Sequence, residues 1–484
     1  MLLNLNLVNE MDATDFCFRR FLSKSLWVIV FALAVHASNM SSADLRGDAI
    51  VYASIAKNIL TLHSPLILHF DGATYLNKPP LFFWLTALSL SVFGYTIFAV
   101  KFVAVLTAIL LNVALFYLFV RIARSYNLGY LAIFCVNTTY VIYKNAHDVR
   151  MESLSALLIT VSLCFLWHYL RSAKCWHLLL FGLMSGLAVM TKGFLGLLPW
   201  AVWLLYLCLP LARELRTKRL FWHSIAAFGL FLATFLWWYV YISLHTNFFH
   251  HFFYDEVIAR LFDGGLQAQE SVHYHSKPVY QYLLYMCRDY FLYLPFFIFG
   301  CYKCYQNSHQ FDRNGLTLIA IFTLLSWLAI QVISTRAERY LFTFYTTAAF
   351  FCAFGIASIP QLKRVQFVNW LKVLGISYII FILVAPMKLS WNSYRSLRDL
   401  KQLSYNANIP IAIENRLLPD YGDRAGVEFF LGNEFVNAPP QGRYFTVLPK
   451  SYQGDLNYLL IKRTRQLLIV LVEPSTFKVM SQSE

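Results

Sequence analysis

The chain has 484 residues, of which 58% are hydrophobic, 18% aromatic and only 13% charged. Its mean hydropathy of +0.54 excludes an ordinary soluble domain, which needs many more charges on its surface. The formal net charge is +15, but the basic residues lie in small groups between apolar runs and form no single basic stripe. This argues against a nucleic-acid partner and favours a polytopic membrane protein in contact with membrane lipids.

The first apolar run, Leu26 to Ala37, follows three basic residues, Arg19, Arg20 and Lys24. Positive residues before a first span favour a cytoplasmic N-terminus; a cleaved signal peptide is the alternative. The polar segment 41–97 is then the first external loop. It contains an apolar run at 81–94 of about 14 residues, too short for a comfortable crossing, and we expect this run to lie at the membrane interface.

Basic groups recur at the ends of the later apolar runs. If 81–94 does not cross, all of these groups fall on the cytoplasmic side, as the positive-inside rule requires. The pattern predicts about eleven spans. They lie near 25–40, 98–120, 128–143, 153–170, 176–190, 194–210, 221–243, 279–301, 315–333, 340–358 and 369–387. An odd number of spans places the C-terminal tail outside the cytoplasm.

The tail has a different composition from the rest of the chain. Short runs rich in strand-forming residues alternate with Pro, Gly and Asn turns, and they predict strands at 409–413, 427–431, 443–448 and 467–472. The predicted fold class is therefore an all-α polytopic membrane protein with interfacial helices and a small C-terminal α/β extracytoplasmic domain. We place the membrane domain at 1–390 and the tail domain at 391–484.

Charged side chains near a membrane are costly, and in this chain they collect on the predicted external side. Asp48 and Lys78 stand out because both lie in loop 41–97, where Lys78 precedes Pro79-Pro80. A carboxylate can take a proton from an acceptor and a lysine can bind an anion, so this loop is the candidate active site. Further candidates for substrate binding are Glu152, Lys192 and Glu256. A solvated or helix-end position is the favoured interpretation for Lys144, Asp148, Arg336 and Glu338.

Several motifs occur together in a fixed order. They are D-x-x-x-Y-A at 48–53, G-x-x-Y-x-x-K-P-P-L at 72–81, Phe93-Gly94, GLAVMTKG at 186–193, Trp238-Tyr239 and F-x7-R-x-F at 252–262. In this combination the chain resembles the bacterial aminoarabinose transferases of lipid A. These enzymes belong with the protein O-mannosyltransferases in the GT-C glycosyltransferase superfamily. The resemblance covers about residues 25–390, and the tail matches only as a region.

The resemblance implies an enzyme that takes a sugar, aminoarabinose or another, from undecaprenyl or another polyprenyl phosphate. The acceptor would be lipid A or another envelope component on the periplasmic side of the bacterial inner membrane. Residue by residue, it implies a catalytic role for Asp48 and donor-phosphate contacts for Tyr75, Lys78 and Arg260. Glu152 falls where the family usually has Asp.

Two departures from the family pattern bear on the cofactor and the sugar. Ala49 and Asn77 stand where acidic residues are common in the family. A divalent cation and the identity of the sugar are therefore left open, and no other cofactor is expected. A protein O-mannosyltransferase-like enzyme is one alternative. A transporter or flippase is another, but it should show paired halves or broken helices at the midplane.

Overall fold

The computed structural model describes residues 17–37, 40, 45, 47–146, 148–251, 277–333, 336–360, 366, 369, 373, 395–413, 418, 421–431, 443–449, 458–463 and 467–472. Within these ranges the chain is mostly helical, with a small antiparallel hairpin near the N-terminus and a three-stranded sheet near the C-terminus. This confirms the predicted fold class of a helical polytopic protein with a small C-terminal α/β region.

The elements before residue 100 are α1 (Phe18–His36), α2 (Asp48–Thr61), β1 (His69–Phe70), β2 (Ala73–Thr74), α3 (Leu81–Phe93) and the start of α4 (Ile97–Ala123). The next helices are α5 (Tyr126–Asn137), α6 (Tyr140–Ala146), α7 (Glu152–Ser172), α8 (Cys175–Lys192), α9 (Leu198–Cys208), α10 (Lys218–His245) and the single turn α11 (Phe248–His250). They are followed by α12 (Gln281–Asp289), α13 (Leu294–Gln306), α14 (Arg313–Gln331) and α15 (Leu341–Ala357). The tail contains α16 (Arg395–Ala407), α17 (Tyr421–Leu431), β3 (Tyr444–Pro449), β4 (Tyr458–Arg463) and β5 (Leu467–Val472).

Six helical stretches of the described chain are long and apolar enough to cross a membrane, so the protein is multi-pass. They are Ile97–Ala123, Glu152–Ser172, Cys175–Cys208, Lys218–His245, Arg313–Gln331 and Glu338–Ala357. Each overlaps at least one predicted span. The predicted span at 369–387 lies almost wholly outside the described residues, and the total of about eleven stays a prediction. Leu81–Phe93 is a shorter apolar helix, at the place where we expect an interfacial one.

The stretch Cys175–Cys208 turns back on itself after Gly193. Trp200 Nε1 donates a hydrogen bond to Ser185 Oγ at 3.0 Å, and the Trp200 ring lies 4.9 Å from that of Phe181. Residues 15 apart on one straight helix would be about 22 Å apart, so these contacts require a reversal. Helices α8 and α9 therefore form a hairpin, as the separate spans predicted at 176–190 and 194–210 require.

One group of charged side chains joins three helix ends. Asp312 caps α14 through the Gly315 N–H at 2.9 Å and also accepts from Trp167 Nε1 and Arg171 Nη1, each at 2.8 Å. Arg121, near the end of α4, lies 5.0 Å from the Trp167 ring centroid. The ends of α4 and α7 and the start of α14 thus meet at one side of the bundle, as the predicted register requires. The assignment of this side to the cytoplasm stays a prediction.

Helices α13 and α15 approach closely through two glycines. A Cβ atom added at Gly300 would lie 1.8 Å from the carbonyl oxygen of Phe351, and one at Gly355 would lie 2.1 Å from that of Phe296. Backbone atoms leave no room at these distances, so the contact requires glycine on both helices. This packing fixes α15, which follows directly after the candidate site residues described below.

The C-terminal sheet is antiparallel in the order β3–β5–β4. Strands at 443–448 and 467–472 are confirmed, with Tyr444 opposite Val472 in the β3–β5 register. The run 409–413 contributes a single parallel bridge from Ile411 to Phe445. Strand β4 was not predicted.

The predicted strand at 427–431 is wrong, because these residues form the end of helix α17. Val427, Phe429 and Leu431 are buried, and α17 packs against α2. A short apolar run fits a buried strand and a buried helix equally well by pattern alone. The contact with α2, a distant part of the chain, favours the helix here.

Candidate active site

Asp48 is the first residue of α2, after Gly47, whose φ is 52°. Its Oδ2 atom accepts hydrogen bonds from Arg339 Nη1 at 2.8 Å and from Arg150 Nη1 at 3.1 Å. A carboxylate at a helix N-terminus is also stabilised by the helix dipole. The side chain is nevertheless 40% exposed, so the carboxylate is held in place and still accessible to a substrate.

A second ion pair lies beside the first and is buried. Lys192 Nζ lies 2.9 Å from Glu152 Oε1, and the two side chains are only 11% and 5% exposed. Lys192 also lies 5.7 Å from the ring centroid of Tyr340, next to Arg339. We call Asp48, Arg150, Glu152, Lys192 and Arg339 the Asp48 cluster. It joins the start of α2, the start of α7, the end of α8 and the turn before α15.

Arg150 connects the carboxylates of this region. It pairs with Asp148, Nε to Oδ2 at 3.4 Å, in addition to Asp48. Burial works against the charged form of Arg150, but the negative charges of Glu152, Asp148 and Asp48 outweigh it and raise the pKa of this guanidinium. Arg150 therefore remains a cation and keeps Asp48 close to the buried Glu152–Lys192 pair.

Tyr75 is brought to α2 through aromatic contacts. Its ring meets Phe83 of α3 edge-on at 5.9 Å, and Phe83 meets Tyr52 of α2 edge-on at 5.3 Å. Tyr52 lies one helical turn after Asp48. Lys78 is half-buried in the same loop, shortly before α3 begins at Leu81.

The loop between α2 and α3 is fixed at several points. Trp84 Nε1 donates to the Pro65 carbonyl at 2.5 Å, and Trp238 Nε1 donates to the Leu66 carbonyl at 2.9 Å. Asn77 Oδ1 lies 2.7 Å from His251 Nε2. The segment that carries Tyr75 and Lys78 is thus held against α3 and the end of α10.

The structure brings some of the predicted site residues together and does not describe others. Asp48, Glu152 and Lys192 share one cluster. Tyr75 reaches α2 only through Phe83 and Tyr52, and Glu256 and Arg260 lie outside the described residues. Sequence reasoning did not assign site roles to Arg150 and Arg339. In the sequence, both arginines could be recognised only as external charges near the ends of spans. That position does not show which acidic side chains they contact.

Lys144 and Glu338, which were expected at solvated or helix-end positions, belong to a neighbouring group of charges. Glu338 pairs with Lys144, and its Oε2 lies 2.5 Å from Arg288 Nη2. Arg288 also pairs with Asp289, Nε to Oδ1 at 2.5 Å. Because Glu338 precedes Arg339, this second group abuts the Asp48 cluster and anchors the turn that presents Arg339.

Within the described ranges, no three His, Cys, Asp or Glu side chains come together as metal ligands would. The carboxylates of the Asp48 cluster pair instead with arginine and lysine. An arrangement of this kind suits an anionic substrate group, because the ammonium and guanidinium groups of lysine and arginine can donate charge-assisted hydrogen bonds to it.

The chain is similar to known proteins in both sequence and fold. Residues 77–238 match the dolichyl-phosphate-mannose-protein mannosyltransferase family. The chain is 24% identical over 357 residues to the undecaprenyl phosphate-alpha-4-amino-4-deoxy-L-arabinose arabinosyl transferase of Enterobacter sp. (strain 638), covering 70% of this chain and 61% of that protein. The corresponding protein of Yersinia enterocolitica is 25% identical over 314 residues, covering 64% and 54%. The chain therefore spans less than two thirds of the length of these relatives.

The fold also matches a solved structure. The crystal structure of ArnT from Cupriavidus metallidurans bound to undecaprenyl phosphate gives a TM-score of 0.67 at 13% identity, covering 94% of this chain and 97% of that one. The apo structure of the same protein gives 0.64. The chain is thus a polytopic membrane protein whose fold is similar to that of this transferase. It is similar to the aminoarabinose transferases in sequence and to ArnT in fold, the resemblance that its motifs predicted.

Proposed function

We propose that this protein is an integral-membrane glycosyltransferase. It transfers a sugar from a polyprenyl-phosphate carrier to lipid A or another envelope acceptor on the periplasmic side of the bacterial inner membrane. The observation that carries the proposal is the Asp48 cluster, an accessible carboxylate held by two arginines beside a buried ion pair. The names of the sequence relatives support the class of donor.

The reaction requires groups of both charges. Breaking the bond between the sugar and the phosphate leaves negative charge on the lipid phosphate, so cations placed there lower the barrier. Lys78 and Arg260, with the hydroxyl of Tyr75, take this role. Glu152, Lys192 and Glu256 bind substrate in this proposal.

Asp48 acts on the acceptor. If the acceptor group is a hydroxyl, the Asp48 carboxylate takes its proton as the oxygen attacks the sugar carbon. If the acceptor is a phosphate, it is already ionised at neutral pH and Asp48 orients the groups around it. Arg150 and Arg339 fix the carboxylate in either case.

Lys78→Ala tests the donor site. It should lower kcat/KM for a polyprenyl-phosphate sugar by about 10- to 150-fold, the effect of losing one charge-assisted contact. Arg260→Ala should have an effect of the same size. Lys303→Ala is the matched control, because the contacts described for its side chain stay within α13: a hydrogen bond to Gln306 at 3.0 Å and the rings of Phe299 and Tyr302. Donor turnover at the wild-type level in Lys78→Ala would place the phosphate elsewhere.

A further inference from the structure

Helix α17 of the tail lies against α2, the helix that begins at Asp48. The Glu428 carboxylate of α17 accepts three hydrogen bonds from this region. Oε2 accepts from Ser54 Oγ at 2.6 Å and from the Asp71 N–H at 3.4 Å, and Oε1 accepts from Asn58 Nδ2. Ser54 and Asn58 are buried on α2, so a single carboxylate bonds two successive turns of that helix.

A lysine on α2 completes the contact from the other side. Lys57 Nζ donates to the carbonyl oxygens of Glu428 and Phe429, at 2.9 and 2.7 Å. The last four carbonyls of a helix have no partner within the helix, and the helix dipole makes that end negative. Lys57 therefore caps α17, which ends at Leu431.

The same tail helix also reaches the hairpin after α2. Arg424 Nε lies 2.9 Å from Asp71 Oδ2, with both side chains half-buried. Asp71 occupies the β1–β2 turn with φ 54°. Burial raises the pKa of the Asp71 carboxyl, against the opposing effect of Arg424. This hairpin leads directly to Tyr75 and Lys78.

We propose that α17 is a clamp that positions both parts of the first external loop for the reaction, with Glu428 as its main positioning residue. The inference rests on the proposed function, and it gives the tail a role in the transfer step, that of positioning Asp48 and the donor-phosphate residues. One part of the loop is α2, which carries Asp48. The other is the hairpin and the segment with Tyr75 and Lys78. A tail that served only to bind the acceptor would not need contacts with both α2 and the β1–β2 hairpin.

The test measures structure and kinetics on the same full-length preparations. Glu428→Ala should speed amide hydrogen exchange of α2 and of the β1–β2 turn by about 10-fold or more, because it removes three bonds to a charged group. It should also lower kcat/KM for the polyprenyl-phosphate sugar and leave KM for the acceptor unchanged. Tyr405→Ala, on an α16 side chain that is 84% exposed, is the control and should change neither.

Ser54→Ala is a milder second variant that removes one donor. Combined with Glu428→Ala it should add nothing further, because both changes break the same contact. Unchanged exchange in Glu428→Ala and Ser54→Ala would overturn the clamp. Faster amide exchange in Glu428→Ala with an unchanged kcat/KM for the donor would overturn the positioning role of Glu428. A kinetic effect confined to a higher KM for the acceptor would overturn it too. Hydrogen exchange is measured without substrate. It therefore tests the contact of α17 with the loop independently of the proposed transferase activity.

Discussion

Asp48→Asn should lower the turnover of sugar transfer by about 100-fold or more, because it removes the carboxylate charge at nearly constant shape. The amide keeps one oxygen for Arg339 or Arg150, and the lost interaction of the charge with the helix dipole is worth only about 0.3–1 kcal/mol. The loss should therefore appear in kcat and not in folding. Turnover with a labelled donor and the thermal midpoint, measured on the same preparation, check both parts.

Asp148→Asn is the matched control for this change. Asp148 also pairs with Arg150, so its loss disturbs the same guanidinium without touching the proposed catalytic carboxylate. We expect turnover in Asp148→Asn to stay within about threefold of the wild type, the scale of one weak surface pair. Near-normal turnover in Asp48→Asn would remove Asp48 from the mechanism.

Lys192→Met should lower the free energy of unfolding by about 3 kcal/mol, because it leaves the Glu152 carboxylate buried without its hydrogen-bonded partner. This is the low end of the range for a broken buried pair, since Arg150 still lies near enough to interact with Glu152. Denaturation of the detergent-solubilised protein measures the change. The double variant Glu152→Gln with Lys192→Met should recover most of the loss, because neither charge of the pair then remains.

Lys144→Met is the comparison for an exposed pair. Lys144 also pairs with a glutamate, Glu338, but its side chain is 46% exposed. Water already screens this interaction, so its loss should cost at most about 1 kcal/mol. If Lys192→Met and Lys144→Met had equal effects, the Glu152–Lys192 pair would not be the buried contact described here.

Sequence patterns predicted the parts of the fold that depend on local composition. Span positions followed from apolar runs and flanking charges, and loop 41–97 stood out because it is polar in an apolar chain. The pattern could not show that Glu152 and Lys192 form a pair, since their contact depends on how α7 packs against α8. For the same reason the convergence of Arg150 and Arg339 on Asp48 appears only in the tertiary structure.

The tail shows the same limit more strongly. The run 427–431 has the composition of a strand, and only its contact with α2 explains why it is helical. Glu428 reads in the sequence as an ordinary acidic residue of a polar tail. Its partners Ser54 and Asn58 lie 374 and 370 positions earlier in the chain. No local pattern carries that information.

The most direct test of the account is transfer by the purified wild-type protein in liposomes, with a polyprenyl-phosphate sugar labelled in the sugar as donor. Lipid A, other envelope glycolipids and an acceptor peptide are supplied in separate reactions, and Asp48→Asn serves as the inactive control. We predict that the label moves to lipid A or another envelope glycolipid in the wild type and not in the control. Failure of the wild type to move label from any polyprenyl-phosphate sugar to any envelope acceptor would contradict the account.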